Sequence, residues 1–327
     1  MKTPLLQVRV VGIRHLTPRI SEYLLESIDG NPLPKYDAGA HIELHLEAPE
    51  MGRFVRHYSL IGGDRMVKDP ANRYRIAVQR EDRARGSAFI HEHLDIGTEL
   101  SISWPKNHFV LGHNDPRVLL IAGGIGITPI YSMLQSLARR GRDYSFVYSG
   151  RTEEGMAYLE ETMALAGERG EVHLSGEPAI DHLDLKALLA AQPENCIAYV
   201  CGPEAMVNAA YAAGAELGWP EERIRSERFG VAAAGEDLAF EVVLEHSQKR
   251  VAVGRNTSIL DAAEAAGLSL LSDCRRGECG LCSLPVISSS GPIDHRDRYL
   301  SDEEKASGDA ICLCVSRIQG GTLVIDA

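Results

Sequence analysis

Cys274-Arg275-Arg276-Gly277-Glu278-Cys279-Gly280-Leu281-Cys282 spaces three cysteines as C-x4-C-x2-C, and few folds accommodate such a run. Two more, Cys312 and Cys314, follow a long way downstream. A pair of sulfide-bridged irons needs four thiolates in compact geometry, three from a tight loop and one from a remote strand, and this spacing suits a [2Fe–2S] cluster. Gly277 and Gly280 would let the loop curl around the inorganic sulfides and aim amide N–H groups at them. A zinc site prefers paired C-x2-C knuckles, and the first gap here is four. Buried free thiols would need no particular spacing. Cys312 and Cys314 fall two apart on a predicted strand, hence on one face, so either could be the fourth ligand.

The remaining cysteines, Cys196 and Cys201, stand apart from that cluster. Five of seven cysteines packed into one short stretch is an odd number, which argues for metal ligation over a disulfide framework. The net charge of −12 excludes a nucleic-acid partner. It serves solubility and leaves room for a partner with a basic patch. No apolar run approaches the roughly 20 residues that span a bilayer, so no membrane partner is expected. The N-terminal twenty residues show neither a long apolar core nor a small-residue cleavage site. No signal peptide is therefore expected, and a cytoplasmic location is.

A length of 327 residues suggests two or three domains. Residues 1–112 carry short alternating runs such as LLQVRVVGI, HIELHLEA and YRIAVQR, separated by turns at Asp29–Pro32 and Ile61–Asp64. With one helix near SAFIHEHL, they predict a small antiparallel β-barrel. From 113 to 230, strands alternate with helices, which predicts an α/β domain with a parallel sheet. Residues 231–238 are small and polar, a linker. Residues 239–327 begin with a hairpin, FEVVLEHSQKRVAVG, and a helix over SILDAAEAAG capped by Ser258 and stopped at Gly267. Two strands, CLCVSRI and TLVIDA, end the chain.

Two further constellations carry chemistry. Arg56-His57-Tyr58-Ser59-Leu60 forms R-x-Y-S-L on a predicted strand. A tyrosine ring can cover an isoalloxazine, an arginine can hold a phosphate and a hydroxyl can reach a flavin nitrogen. Downstream come Ala77-Val78-Gln79 in IAVQRE, then Arg85-Gly86-Ser87 opening a helix, where free N–H groups and the dipole make a phosphate seat. In the α/β part, Gly123-Gly124-Ile125-Gly126-Ile127-Thr128-Pro129 joins a strand to a helix, and Cys201-Gly202-Pro203 repeats that arrangement. Both turns would lie at the carboxyl edge of one parallel sheet, where ligands bind in such folds. Ser149 and Arg151 end the next strand, the expected position for ribose contacts.

The order R-x-Y-S-L, IAVQRE, RGS and βαβ resembles the ferredoxin–NADP reductase superfamily. With a C-terminal plant-type ferredoxin module of α+β, β-grasp fold, the chain resembles the phthalate dioxygenase reductase family over essentially its whole length. Vanillate O-demethylase reductases share that arrangement. The resemblance implies FMN as flavin, NADH rather than NADPH as donor and a Rieske-type oxygenase as acceptor, with a cytochrome P450 as the alternative. It implies that Arg56, His57, Tyr58, Ser59, Ala77, Val78, Gln79, Arg85, Gly86 and Ser87 hold FMN. Gly123, Gly124, Gly126, Ser149, Arg151, Gly202 and Pro203 would bind the nicotinamide cofactor. Thr128, Cys201 and the aromatic Phe229 would shape the hydride site, with no essential acid or base. CVSR resembles the segment carrying the last cluster ligand, which selects Cys314 with Cys274, Cys279 and Cys282, and implies a short insertion in the SSSGPIDHRD loop.

Overall fold

The computed structural model describes residues 4–48, 52–62, 71–81, 85–176, 183–229, 237–255 and 257–327, and of Arg85 only the backbone. Gly63 and Asp64 of one expected turn, and 231–236 of the expected linker, lie outside the described residues. Packing divides the chain into two units: residues 1–46 with 55–229, and residues 47–54 with 230–327.

The first sheet contains β1 (Leu6–Thr17), β2 (Ile20–Ser27), β3 (His41–Ala48), β4 (Gly52–Ser59), β5 (Arg73–Gln79) and β6 (Glu99–Ile102), with helix α1 (Arg85–His93) before β6. Its order is β4-β3-β6-β1-β2-β5. The β1–β2, β1–β6, β2–β5 and β3–β6 pairs are antiparallel. The edges meet just past β4, where the Ile61 N–H donates to the Arg75 carbonyl at 2.9 Å. Closure removes the free edges that an open sheet would expose. Along β3 a period of two sends Ile42, Leu44 and Leu46 into the core and leaves His41, Glu43 and His45 on the other face.

The second sheet uses β7 (Arg117–Gly123), β8 (Tyr144–Gly150), β9 (Gly170–Leu174), β10 (Cys196–Gly202) and β11 (Ile224–Arg228) in the order β11-β10-β7-β8-β9. All four pairings are parallel. Helices α2 (Ile127–Arg139), α3 (Leu159–Ala166), α4 (Leu185–Ala190) and α5 (Glu204–Glu216) supply the crossovers. Val118, Leu120 and Ala122 of β7 pack in one layer with Ile130, Leu134 and Leu137 of α2. Leu119 and Ile121 join Leu189, Val207 and Ala210 in the opposite layer. Strands buried on both faces must be apolar throughout, which explains the unbroken run VLLIA.

The α2 layer also takes in Ile20, Ala38, Ile61, Ala77 and Phe109, so the two sheets of this unit share a core. At its rim the Tyr158 hydroxyl donates to Glu22 at 2.7 Å, and Arg14 pairs with Glu161 at 3.0 Å.

In the second unit, β12 (Phe240–Leu244), β13 (Lys249–Val253), β14 (Ser283–Ser289), β16 (Ala310–Cys312) and β18 (Thr322–Ile325) form a mixed sheet, ordered β13-β12-β18-β14-β16. The first and last strands, β12 and β18, are parallel, and the other pairs are antiparallel. α6 (Ile259–Ala265) buries Ile259, Leu260 and Ala262 in the same core as these strands, giving a β-grasp. Ser258 caps it by accepting from the Asp261 N–H at 3.0 Å, and Gly267 follows at φ +79°. β15 (Ile293–Asp294) and β17 (Arg317–Ile318) form a two-stranded ribbon, and the short helix α7 (Asp302–Ser307) precedes β16. Asp237 and Leu238 are bonded into this unit: Arg296 donates to Asp237 at 2.6 Å and Arg317 to the Leu238 carbonyl at 3.0 Å.

The three architectures expected from the sequence are present: an antiparallel barrel, a parallel α/β sheet and a β-grasp. CLCVSRI is not one strand, however. β16 stops at Cys312, and the Val315 and Ser316 N–H groups turn back onto the Cys312 carbonyl at 3.3 and 3.0 Å. Among the described residues no helix is long and apolar enough to cross a membrane.

Phe146 is fully buried at the centre of β8. Phe146→Ala is expected to cost about 3–5 kcal/mol through lost burial and the cavity left behind, read as a lowered urea midpoint of the first unit.

Candidate functional site

Arg56 reaches from β4 to the start of α1. Its Nη1 donates to the Val55 carbonyl at 2.8 Å, and its guanidinium lies over Gly86. A Cβ at Gly86 would sit 2.2 Å from Arg56 Nε, so only glycine admits this contact. The result is a guanidinium beside a helix N-terminus, two groups that both favour an anion. Ser87 is buried, and its Oγ accepts from the Glu81 N–H at 3.0 Å, which braces the approach to α1. Ala77, Val78 and Gln79 lie opposite Glu22, Ser21 and Ile20 of β2.

Ser59 ends β4 with its Oγ buried and without a hydrogen-bond partner. A buried orphan hydroxyl calls for a ligand group to satisfy it, and a polar edge of a bound isoalloxazine would. Burial pushes the neighbouring Tyr58 phenol up, so the ring is neutral. His57 turns elsewhere: its Nε2 lies 4.0 Å from Glu43, and its ring lies 5.3 Å from that of His41. Against the cost of burial, the neighbouring His45, the hydrogen bond from Lys106 at 2.8 Å and the nearby His57 hold Glu43 well below the usual carboxylate range.

The α/β turns interlock. Gly126 approaches the Cys201 carbonyl so closely that a Cβ would lie 2.2 Å from the oxygen. Register places Gly123 beside Ser149, Ala122 beside Cys201, and Cys201 beside Glu227, so the carboxyl ends of β8, β7, β10 and β11 form one row. Gly124 and Gly202 border that row, and Pro203 opens α5. Thr128 is buried, and its hydroxyl donates to the Ile125 carbonyl at 3.0 Å. Cys201 is fully buried, Arg151 is exposed, and Phe229, just past β11, is 39% exposed.

In the second unit, Cys274 Sγ accepts from the N–H groups of Arg276, Glu278 and Cys279, each at 3.4 Å. This wrapping requires positive φ at Arg275 (+52°), Gly277 (+74°) and Gly280 (+72°). Arg275 bears that strain while its guanidinium pairs with Asp261 at 2.8 Å and Glu264 at 2.7 Å, which ties the loop to α6. Tyr299 lies on Gly280, where a Cβ would be 2.2 Å from the ring. Cys274, Cys282, Cys312 and Cys314 are buried, and Cys279 is exposed. Hydrogen bonds from the Cys312 and Cys314 thiols push Cys282 well below the usual thiol range. Cys314 also feels Cys274 and meets the Gly277 N–H, whereas Cys312 feels Asp297 and meets Ser283. Both thiols reach Cys282 because the chain turns after Cys312, not through strand alternation. No group of three or more His, Cys, Asp or Glu among the described residues is arranged around one metal ion. A cluster of two irons and two sulfides spreads its four thiolates over a larger frame, and N–H groups aimed at sulfur fit it.

The sequence alone does not single out Arg275 or Tyr299, whose contacts with α6 and Gly280 cross the fold.

Comparison with known proteins finds the oxidoreductase NAD-binding domain over residues 120–212 and the 2Fe-2S iron-sulfur cluster binding domain over residues 242–319. The chain is 38% identical over 325 residues to the heme-dependent oxidative N-demethylase beta subunit of Ectopseudomonas mendocina (strain ymp), covering 98% of this chain and 99% of that one. It is 38% identical over 322 residues to a putative toluene-4-sulfonate monooxygenase system reductase subunit of Comamonas testosteroni, covering 98% of each. Among solved structures it matches phthalate dioxygenase reductase, described as a modular structure for electron transfer from pyridine nucleotides to [2Fe–2S]. That match has a TM-score of 0.85 and 30% identity over 99% of this chain and 98% of that one.

Gly280→Ala is expected to lose iron and acid-labile sulfide, because both the φ of +72° and the Tyr299 ring oppose a Cβ. Adding Tyr299→Ala should restore part of the iron content measured by colorimetric assay. If the single variant keeps its full iron complement, the close packing has no bearing on the loop.

Proposed function

Because this chain belongs to the phthalate dioxygenase reductase family, we propose that it is the NADH-dependent reductase component of an oxygenase system. In this reading it carries FMN and one [2Fe–2S] cluster and passes electrons singly to a Rieske-type oxygenase. The observation that carries it is the pairing, in one chain, of a nicotinamide-type α/β edge with a three-cysteine loop that meets two late cysteines. A nicotinamide gives two electrons as hydride and a [2Fe–2S] cluster takes one, and a bound flavin supplies the conversion between them.

The protein's own residues bind and orient. Arg56 and the α1 N-terminus hold the FMN phosphate, an assignment supported by their contact across Gly86. Ser59 offers its orphan hydroxyl to the isoalloxazine, and Tyr58 covers the ring. The Gly126–Cys201 interlock, with Thr128 behind it, shapes the nicotinamide seat, and Phe229 lies ready to cover it. Ser149 and Arg151 meet the ribose. Cys274, Cys279, Cys282 and Cys314 hold the cluster. Cys314 is favoured over Cys312 because it meets Gly277 and senses Cys274, both in the ligand loop.

One observation favours a second reading of the acceptor. The relative from Ectopseudomonas mendocina is named as part of a heme-dependent demethylase, so a haem acceptor is the alternative to a Rieske oxygenase.

Anaerobically purified protein is expected to hold two irons and two acid-labile sulfides per chain, and NADH should bleach flavin and cluster absorbance together. Zinc in place of iron, or a spectrum that neither NADH nor NADPH changes, would end this reading. Cys314→Ser should lose the cluster yet keep NADH-driven ferricyanide reduction. A Cys314→Ser protein that retains its cluster, with Cys312→Ser losing it, reverses the ligand choice. Arg56→Ala should release FMN on dialysis, and unchanged occupancy counts against its phosphate role.

A further inference from the structure

Ser132 lies on α2, is 0% exposed, and belongs to none of the motifs above. Its Oγ donates to the Leu60 carbonyl at 2.6 Å and accepts from the Gly62 N–H at 3.2 Å. Leu60 and Gly62 follow Ser59 directly, where the chain has left β4 and its strand partners. The other backbone groups there are held from the barrel side. The Leu60 N–H donates to the Ala40 carbonyl at 2.8 Å, and the Ile61 N–H to Arg75 at 2.9 Å. The Ile61 carbonyl accepts from the Tyr36 hydroxyl at 3.1 Å. One hydroxyl from the α/β half therefore holds the Leu60 carbonyl and the Gly62 N–H of the segment that follows β4.

The same oxygen lies 3.5 Å from the Thr128 carbonyl, one helical turn back. Thr128 is fixed in turn to the Gly-rich loop through Ile125. A path from the orphan Ser59 hydroxyl to the nicotinamide turn thus runs through this side chain, while the Tyr158–Glu22 and Arg14–Glu161 pairs join the halves at their rim. Apolar contact between Ile61 and the α2 layer adds adhesion, but it is non-directional and sets no register.

We infer that Ser132 is a positioning residue for hydride transfer, holding the flavin strand in register with the nicotinamide turn. This inference rests on the reductase function proposed above. Hydride transfer is steeply sensitive to such register, since a misplacement of about 1 Å can cost on the order of a hundredfold in rate. Binding of either group to its own half would be spared.

The test is anaerobic stopped-flow bleaching of the holoenzyme by NADH, comparing wild type with Ser132→Ala. At saturating NADH the variant is expected to bleach about ten- to a hundredfold more slowly. The NADH concentration giving half the maximal rate, the FMN content and the iron content should stay at wild-type values. Photoreduced variant should still pass electrons to cytochrome c at the wild-type rate. Ser132→Cys keeps the volume and a weak donor, and should fall between the two. A variant that bleaches at the wild-type rate overturns the inference. So does one that merely loses FMN and thermal stability while each remaining flavin reacts at full speed. A wild-type protein that NADH fails to bleach sinks the functional reading itself, whereas a bleached wild type with an unimpaired variant sinks only the role of Ser132.

Discussion

The approach of Gly126 to the Cys201 carbonyl, too close to admit a Cβ, is the constraint from which the first site follows. It locks two turns from remote parts of the chain back to back at the carboxyl edge of the parallel sheet. The edge then presents Gly123, Ser149, Cys201 and Glu227 in a row, as the ladder register requires. α2 leaves this edge carrying Thr128 and Ser132 on one face, and Ser132 bonds the Leu60 and Gly62 backbone just past β4.

The second unit solves a different problem by similar means. A loop that aims successive N–H groups at one sulfur cannot be stabilised by regular structure, because those donors would otherwise go to strand or helix partners. It is braced from outside instead: by two carboxylates of α6 on Arg275, by Tyr299 against Gly280, and by the turn after Cys312. Such bracing matters for an electron carrier, since hydrogen bonds to the sulfurs help set the potential. The barrel shows the same economy, with Arg56 crossing a glycine to reach a helix end.

Strand alternation opposes His57 to Arg56 and Tyr58, and its side chain lies beside the buried Glu43 and His41. Ser87 looked like a phosphate-seat hydroxyl, and its oxygen serves the Glu81 N–H as well. The residues around Cys312 are β-formers and favour a continuous strand, and the turn onto the Cys312 carbonyl overrides that local preference.

What the sequence determined by itself was local. The C-x4-C-x2-C spacing, the two glycine turns, the Ser258 cap and the unbroken apolar run of β7 each act through neighbours within a few residues, so spacing and residue type carry them. What only the tertiary structure decided depends on segments that meet in space. That the late thiols meet Cys282, that Tyr299 covers Gly280, that Arg56 lies over Gly86 and that Ser132 grips Leu60 and Gly62 are contacts across long sequence separations. Packing of whole layers sets those distances, and no local pattern encodes them.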